Sequence, residues 1–586
     1  MFETNSILEK LPKHLLDLII DQPYNGYTSQ DHAVWRYVMR KNTHFLKEVA
    51  HNSYLSGLRK TGVSIDQIPQ MYGMNRILKE IGWAAVAVDG FIPPSAFMEF
   101  QAFNVLVIAA DIRPIDQIQY TPAPDIIHEA AGHAPIIANP DYAEYLKKFG
   151  YYGSKAFSSS KDRNIYEAVR HLSILKADPY SSKEEIRDAE NLISEIDSMI
   201  SPRSELAKIR NLHWWTVEYG LIGSMYSPKI YGAGLLSSIG ESDHAMQDNV
   251  LKLPYSIDAM NYNFDITTMQ PQLFVTPNFE YLTKVLEEFV VTMAIRTGGI
   301  EGIKKAIDSE NIACCILDSG IQISGQIASF IEVNNEIAYL KTIGPSSLAY
   351  QDHELDSHSK EFHYHGYGTP IGTLKGLNSS FNTWNDYQLE AADIKINHLC
   401  NLEWTTGIRL KGKLKNILRK EGKIILLSFD SCSVFYKNEI LFKPDWGTFD
   451  LAIGKKVYSV YNGPADPNAY GYTFEVPKEK THKIEHSKTA KSLHQLYTKI
   501  RTIREHNLNG SLKDIKDLFQ SYREEHPKDW LLGLELLELA VKLNLESEFI
   551  EEIKKFLQIL IKVHPEFDKL INDGIDIIME ETTTYK

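Results

Sequence analysis

The chain has 586 residues, with 62 Lys and Arg against 76 Asp and Glu, a net charge of −14 and four cysteines. At about 150 residues per domain this length holds several domains, and a 43% apolar, 24% charged composition is that of an ordinary soluble globular protein. The acidic balance argues against a protein that coats nucleic acid, because counterion release needs clustered Lys and Arg. Cys314, Cys315, Cys400 and Cys432 are too few and too scattered for a disulfide framework or a cysteine-rich zinc module.

In chain order, the first apolar stretch, Leu15 to Ile20, is interrupted by Asp17 and preceded by Glu3, Glu9 and Lys10. It reads as the start of an amphipathic helix, not an export signal. No window approaches the roughly 18–20 uninterrupted apolar residues of a membrane span, so a cytoplasmic location with no membrane partner is expected. Residues 1 to about 300 read as mostly helical. Trp35, Val38 and Met39 share a face, and Ile68-Pro69-Gln70 interrupts the pattern before a helix through Ile77 and Leu78.

Residues 155–210 form a polar stretch with basic and acidic side chains in equal number. Within it, Ser182 to Glu185 looks like a capping box opening a helix with apolar Ile186, Ala189, Ile193, Ile196 and Ile200. That narrow stripe suits a helix lying on a neighbour at the surface.

From about 320 the texture changes. Ile321 and Ile323 alternate with polar residues, and Asn334-Asn335 separates Val333 from Ile337 and Tyr339, which reads as a hairpin. Ile408 and Leu410, Ile424 to Phe429, Val434 to Tyr436, Ile440 to Phe442 and Val457 to Tyr461 read as further strands, suggesting a β-sandwich or barrel. A tract with His353, His358, His363 and His365 lies among them, with His363 and His365 alternating onto one strand face; a solvated loop and strand edge is its expected setting, and a second metal site is the alternative. After residues 478–488, Leu493, Leu496, Ile500 and Ile503 keep helical spacing, and Ser511 with Asp514 caps another helix. Two His-Pro pairs, at His526 and His564, fall short of the three copies a solenoid needs, so a small helical bundle is expected. The fold class is thus multidomain: a mainly α catalytic region at 1–300 with an insertion near 155–210, a β-rich domain at 310–478 and a helical C-terminal domain at 485–586.

The chemistry concentrates in Pro124-Asp125-Ile126-Ile127-His128-Glu129-Ala130-Ala131-Gly132-His133. A lone histidine on an apolar helix is ordinarily a hydrogen-bonded core residue. Here a second histidine and a carboxylate set among alanines argue against that, since burying an unpaired charge is costly. Zinc proteases place their histidine pair at i and i+4, about 40° apart around a helix. His128 and His133 stand at i and i+5, about 140° apart at 3.6 residues per turn, so a local bend, which Gly132 would permit, is needed to aim both rings at one ion. In the aromatic stretch Leu212 to Gly220 the single carboxylate is Glu218. Two histidines and one carboxylate form the ligand set of non-haem Fe(II) oxygenases. Zinc, with Glu129 as the base of a hydrolase, is the alternative.

Several motifs occur together in order: Tyr120 to Glu129, Gly132-His133 with Asp141-Tyr142-Ala143, Trp214 to Gly220, and Tyr231-Gly232-Ala233-Gly234-Leu235-Leu236-Ser237-Ser238-Ile239-Gly240-Glu241. On these residues the segment from about Tyr27 to Glu280 resembles the catalytic domain of the pterin-dependent aromatic amino acid hydroxylases. The resemblance implies that His128, His133 and Glu218 hold a mononuclear Fe(II). It implies that Arg113 grips the carboxylate of the amino acid, helped by Thr121 and Ser237, and that Trp214, Tyr219, Gly234 and Pro124 wall the ring pocket. The tetrahydropterin would lie on Phe97, read by the backbone of Gly90, Phe91 and Ile92 and by Glu129. One atom of O₂ would go to the pterin and the other to the substrate ring. Phenylalanine is the expected substrate, with tyrosine or tryptophan as alternatives within the family. Where the family usually carries Glu, Tyr and His, this chain has Ala123, His213 and Val107. His133 and Glu218 are 85 residues apart, about twice the usual separation, the surplus being the 155–210 insertion, a surface element or a lid. The regulatory domain that precedes this region in animal relatives is expected to be missing. Residues 300–586 match no family on these grounds, and self-association through them stays open.

Overall fold

The computed structural model describes residues 5–90, 92–119, 124–177, 181–198, 203–264, 269–376, 381–474, 487–506 and 512–584. Helix Ser29–Val49 opens on a capping box, in which the Thr28 hydroxyl accepts from the Asp31 N–H at 3.1 Å and the Asp31 carboxylate accepts from the Thr28 N–H at 2.7 Å. Trp35, Val38 and Met39 are fully enclosed on its inner face. The break at Ile68-Pro69-Gln70 precedes helix Met71–Leu78, because the residue before a proline is pushed out of the helical region.

The stretch Leu15 to Ile20 is not one helix. Lys13–Leu16 makes a single turn, and Ile19–Ile20 pairs antiparallel with Val88 and Ala87. It thereby edges a three-stranded sheet whose other strands, Ala84–Val88 and Val105–Ala109, run parallel and are buried along their whole length. A four-stranded sheet joins Leu221–Ser224, Ser227–Ile230, Leu251–Pro254 and Gln272–Thr276. The mostly helical first half therefore carries two small sheets, built from strands too short to stand out against helical periodicity. The capping box at Ser182 is formed, with Glu185 accepting from the Ser182 N–H at 2.7 Å, and it opens helix Lys183–Ser198. Ile200 and Ser511 lie outside the described residues.

Residues 312–462 form two antiparallel sheets, one with strands Ile312–Leu317, Ile321–Val333 and Glu336–Tyr350 at its centre. Asn334 and Asn335, at φ 53° and 62°, make the expected turn of a long hairpin, since the tight hairpin turn needs positive φ at both central residues. The stretches Ile424 to Phe429 and Val434 to Tyr436 are parts of one strand, Lys423–Tyr436, rather than two. Ser431, at φ 49°, sits at a shift in pairing against Ile408–Lys420. The polar Asp430-Ser431 pair is a bulge there and not a turn. All four cysteines are buried free thiols, and no described helix is long and apolar enough to cross a membrane.

The C-terminal helices do not close a core of their own. Leu496, Ile500, Tyr522, Trp530 and Ile571 belong to the same apolar core as Trp35 and Val38. Across this seam the Tyr37 ring meets Trp530 edge-on at 4.9 Å, and its hydroxyl donates to the Leu570 carbonyl at 2.8 Å. Buried charges cross it too. Arg36 donates to both oxygens of Glu535 at 2.9 and 2.6 Å, Arg504 bridges Glu535 and Glu538, and Arg40 pairs with Glu538.

Candidate functional site

The segment Ile127–His133 winds as a π-helix. Hydrogen bonds from i to i+5 widen the turn, which brings residues five apart onto one side and removes the 140° divergence expected of an α-helix. Glu218 closes a second π-helical segment, Trp214–Glu218, that continues helix Glu205–His213. Gly132 serves close packing: a Cβ there would sit 2.6 Å from the Ala233 carbonyl oxygen. Gly232 is held in the same way against the Glu218 carbonyl, at 2.4 Å. The glycines thus let helix Ala233–Ser237 press against both donor-bearing segments.

Three donor atoms converge. His128 Nε2 lies 3.2 Å from His133 Nε2 and 3.2 Å from Glu218 Oε2, and His133 Nε2 lies 3.3 Å from Glu218 Oε1. Donors about 2.1 Å from one ion stand roughly 3.0–3.4 Å apart, so this triad has the spacing of ligands sharing a single cation. The buried His133 Nδ1, Glu129 Oε2 and His213 Nε2 have no hydrogen-bond partner among the described residues, so the neighbourhood is under-satisfied without a polar guest. Burial opposes the charge on Glu218, yet His133 and His128 together hold its carboxyl well below the usual range. Burial likewise opposes protonation of His128, but Glu218 pushes its imidazole up to about 9. Glu129, 3.7 Å from His133 Nε2, is raised by burial against the pull of His133 and His128.

The supporting contacts are specific. Asp125 accepts from Arg113 Nε and Nη2, both at 2.8 Å, and from the His128 N–H at 3.0 Å. One carboxylate therefore ties the guanidinium to the start of the histidine segment. His128 Nδ1 lies 3.1 Å from Ser237 Oγ, whose hydroxyl donates to the Ala233 carbonyl at 2.7 Å. Such a partner fixes the tautomer that presents Nε2 as a ligand. Ser237, expected at the substrate carboxylate, thus commits its hydroxyl to His128, while its carbonyl faces Arg113 Nη1 at 3.5 Å.

His128, Glu129, Glu218 and Ser237 line a cavity of about 870 Å³ whose wall also includes Gly90, Ile92, Phe97, Val107, Arg113, Pro124, Trp214, Tyr219 and Gly234. Phe91 and Thr121 lie outside the described residues, as does Ala123. Trp214 stacks between Tyr219, at 4.8 Å, and Phe264, at 4.1 Å and 12° between planes. His213 lies edge-on to Phe97 at 6.0 Å with Nδ1 3.7 Å from Glu218, and burial brings its imidazole down to about 4. Sequence reasoning passed over Asp125, Phe264 and Glu241. The last lines the cavity with its carboxyl raised by burial to about 7, and its place at the end of the glycine motif was the available signal.

The insertion is not remote from the site. Its helices Ser160–Ala177 and Lys183–Ser198 bring Ile165, Tyr166, Val169, Arg170 and Ile193 to the cavity wall. The Tyr166 hydroxyl is buried with no hydrogen-bond partner among the described residues. The His-rich tract also departs from expectation. His353 and His365 are exposed, but His358 and His363 are buried, and residues 361–367 form turns with a single bridge from His363 to Ser346 instead of a strand face.

Two imidazoles and one carboxylate on one flank of a walled, partly aromatic cavity place this region in the class of proteins built to hold one first-row metal ion with positions open beside it. The family model of biopterin-dependent aromatic amino acid hydroxylase matches residues 21–166 and 151–298. Phenylalanine-4-hydroxylase of Pseudomonas aeruginosa is 28% identical over 283 residues, covering 47% of this chain and 91% of that relative. The Chromobacterium violaceum enzyme of the same name is 28% identical over 270 residues, covering 45% and 76%. Tryptophan 5-hydroxylase of Xenopus laevis is 26% identical over 301 residues, covering 49% and 53%. A crystal structure of Chromobacterium violaceum phenylalanine hydroxylase with bound iron(III) and 7,8-dihydrobiopterin matches at 27% identity and a TM-score of 0.38, covering 47% of this chain and 85% of that one. The chain belongs, through residues 21–298, to the biopterin-dependent aromatic amino acid hydroxylases, and it is a monooxygenase of that kind. The hydrolase alternative built on Glu129 is thereby set aside.

Proposed function

We propose that the chain hydroxylates phenylalanine to tyrosine, using O₂, tetrahydropterin and a mononuclear Fe(II) held by His128, His133 and Glu218. The observation that carries this reading is the convergence of those three donors within 3.3 Å of one another, at a cavity that also holds Arg113 and Phe97. When bound, iron and pterin supply the activation of O₂ that the protein's own side chains lack.

The chain's residues do the rest by position. Asp125 fixes the Arg113 guanidinium, whose remaining N–H groups are the fork that suits an amino acid carboxylate. Trp214, braced by Phe264 and Tyr219, offers a flat apolar wall to the ring. A Cβ on Gly234 would approach the Tyr219 ring to 3.0 Å, so glycine keeps that wall in place. Phe97 offers a face to the pterin. Glu129, whose carboxyl takes a proton more readily than usual, can accept from a ring N–H or share a proton with a ring nitrogen. The insertion helices narrow access for water, which protects a reactive oxidant from side reactions. Phenylalanine is favoured because the Pseudomonas aeruginosa and Chromobacterium violaceum relatives act, by name, on phenylalanine. The test is product formation from phenylalanine, tyrosine and tryptophan in turn, with Fe(II) and tetrahydropterin supplied. Tyrosine from phenylalanine at the highest kcat/KM is expected, and no turnover of any of the three would end the proposal.

A further inference from the structure

A second convergence of donors lies in the β-rich part of the chain, far in sequence from residues 21–298. His358 Nδ1 and His363 Nε2 stand 3.3 Å apart, and His358 Nδ1 stands 3.8 Å from Asp450 Oδ2. All three donor atoms fall within 4.8 Å of one another. The residues are 8%, 9% and 4% exposed, so this is a built interior site and not a surface cluster. Two chain segments supply it: the loop after strand Glu336–Tyr350 gives the histidines, and strand Phe449–Ala452 gives the carboxylate.

The position of Asp450 is the informative part. Its Oδ1 accepts from the Ser428 hydroxyl at 2.6 Å, whereas its Oδ2 is buried with no hydrogen-bond partner among the described residues. An Asp–His relay would set that oxygen within about 3 Å of an imidazole N–H, and 3.8 Å is too long. Leaving a buried carboxylate oxygen unpaired beside two imidazoles is costly, and a cation seated between the three atoms removes that cost. Tetrahedral donors about 2.0–2.1 Å from Zn²⁺ stand roughly 3.3–3.4 Å from one another, so modest side-chain adjustment closes the triad on such an ion.

We propose that His358, His363 and Asp450 bind a first-row divalent cation such as Zn²⁺, which clamps the 351–367 loop to the sheet. The remaining coordination position goes to water. The loop is already tied to the sheet by backbone bonds from Leu348 to His358 and from Ser346 to His363, and by the Tyr367 hydroxyl on the Asp450 carbonyl. The ion adds a side-chain tie where Phe362 and Tyr364 leave the loop exposed. Its role is structural, and the site stands apart from the hydroxylase centre.

The test uses the full chain, stripped of metal by a chelator and titrated with Zn²⁺, then with Co²⁺. Two ions per chain are expected, one of them giving Co²⁺ the strong visible absorption of four-coordinate geometry. Asp450→Asn, nearly the same shape, is expected to bind one ion, to lose that absorption and to keep its Fe(II)-dependent hydroxylase rate. His128→Ala is expected to lose the other ion and keep the absorption. A single Zn²⁺ per wild-type chain, or two retained by Asp450→Asn, would overturn the proposal. Should Asp450→Asn fail to fold, the melting temperature of His128→Ala decides: a rise with added Zn²⁺ upholds the second site, since a ligand that binds only the folded form stabilises it, and no rise refutes it.

Discussion

At the scale of single residues, the triad sets a competition between a metal ion and a proton. Glu218 raises His128 to about 9 against the effect of burial, so near neutrality this imidazole carries a proton that an incoming cation must displace. The sign follows: affinity for Fe(II) rises with pH up to about 9 and weakens by up to about tenfold per unit below it. Fe(II) titrations at pH 6, 7 and 8 check this, and a flat profile would show that His128 is already neutral in the metal-free protein. Glu218→Ala is expected to lose iron outright, since it deletes one of three donors. Much of this was legible in the sequence. His128, Glu129 and His133 announce themselves by type, and Glu218 as the lone carboxylate in an aromatic stretch. The commitment of the Ser237 hydroxyl to His128 was not, because side-chain hydrogen bonding depends on a rotamer that no motif encodes.

At the scale of elements, the π-winding of Ile127–His133 and Trp214–Glu218 turned an unpromising i, i+5 spacing into a shared donor face. A side-chain pattern carries no record of backbone hydrogen-bond register, so the sequence pointed to a needed distortion without its form. The insertion was readable as one capped amphipathic helix in a polar surface stretch, and not as a pair of helices walling the cavity, since a narrow apolar stripe does not say what it covers. Its Tyr166 hydroxyl is buried at that wall with no hydrogen-bond partner among the described residues, and it is placed to meet a bound ligand. Tyr166→Phe is expected to raise KM for the pterin or the amino acid by about threefold to tenfold, the worth of one neutral hydrogen bond, with kcat and melting temperature unchanged. Unaltered kinetics would reduce the insertion to a passive cover.

At the scale of the whole molecule, the C-terminal helices and helix Ser29–Val49 are halves of one core. Their apolar stripes were legible at Leu493 to Ile503, but not their partner, which lies more than four hundred residues away in the chain. The seam is pinned by buried charge. Glu535→Ala strands Arg36 without its carboxylate, a change that costs about 3–5 kcal/mol when one partner of a buried pair is removed. Faster proteolysis and hydrogen exchange across residues 488–584 are expected. Glu538 is held well below its ordinary value of 4.5, burial opposing and Arg504 with Arg40 prevailing. Its stabilising effect is present above pH 4.5 and disappears only in stronger acid.

The seam also has a consequence for how the protein is made. Helix Ser29–Val49 is synthesised some five hundred residues before Trp530 and Leu570, which cover Tyr37. At about 5–20 residues per second of translation, the Tyr37 side of that helix stays open for roughly half a minute to two minutes. Until the last helices emerge, the nascent chain carries a greasy flank in search of a mate, and a chaperone or a transient stand-in must shield it.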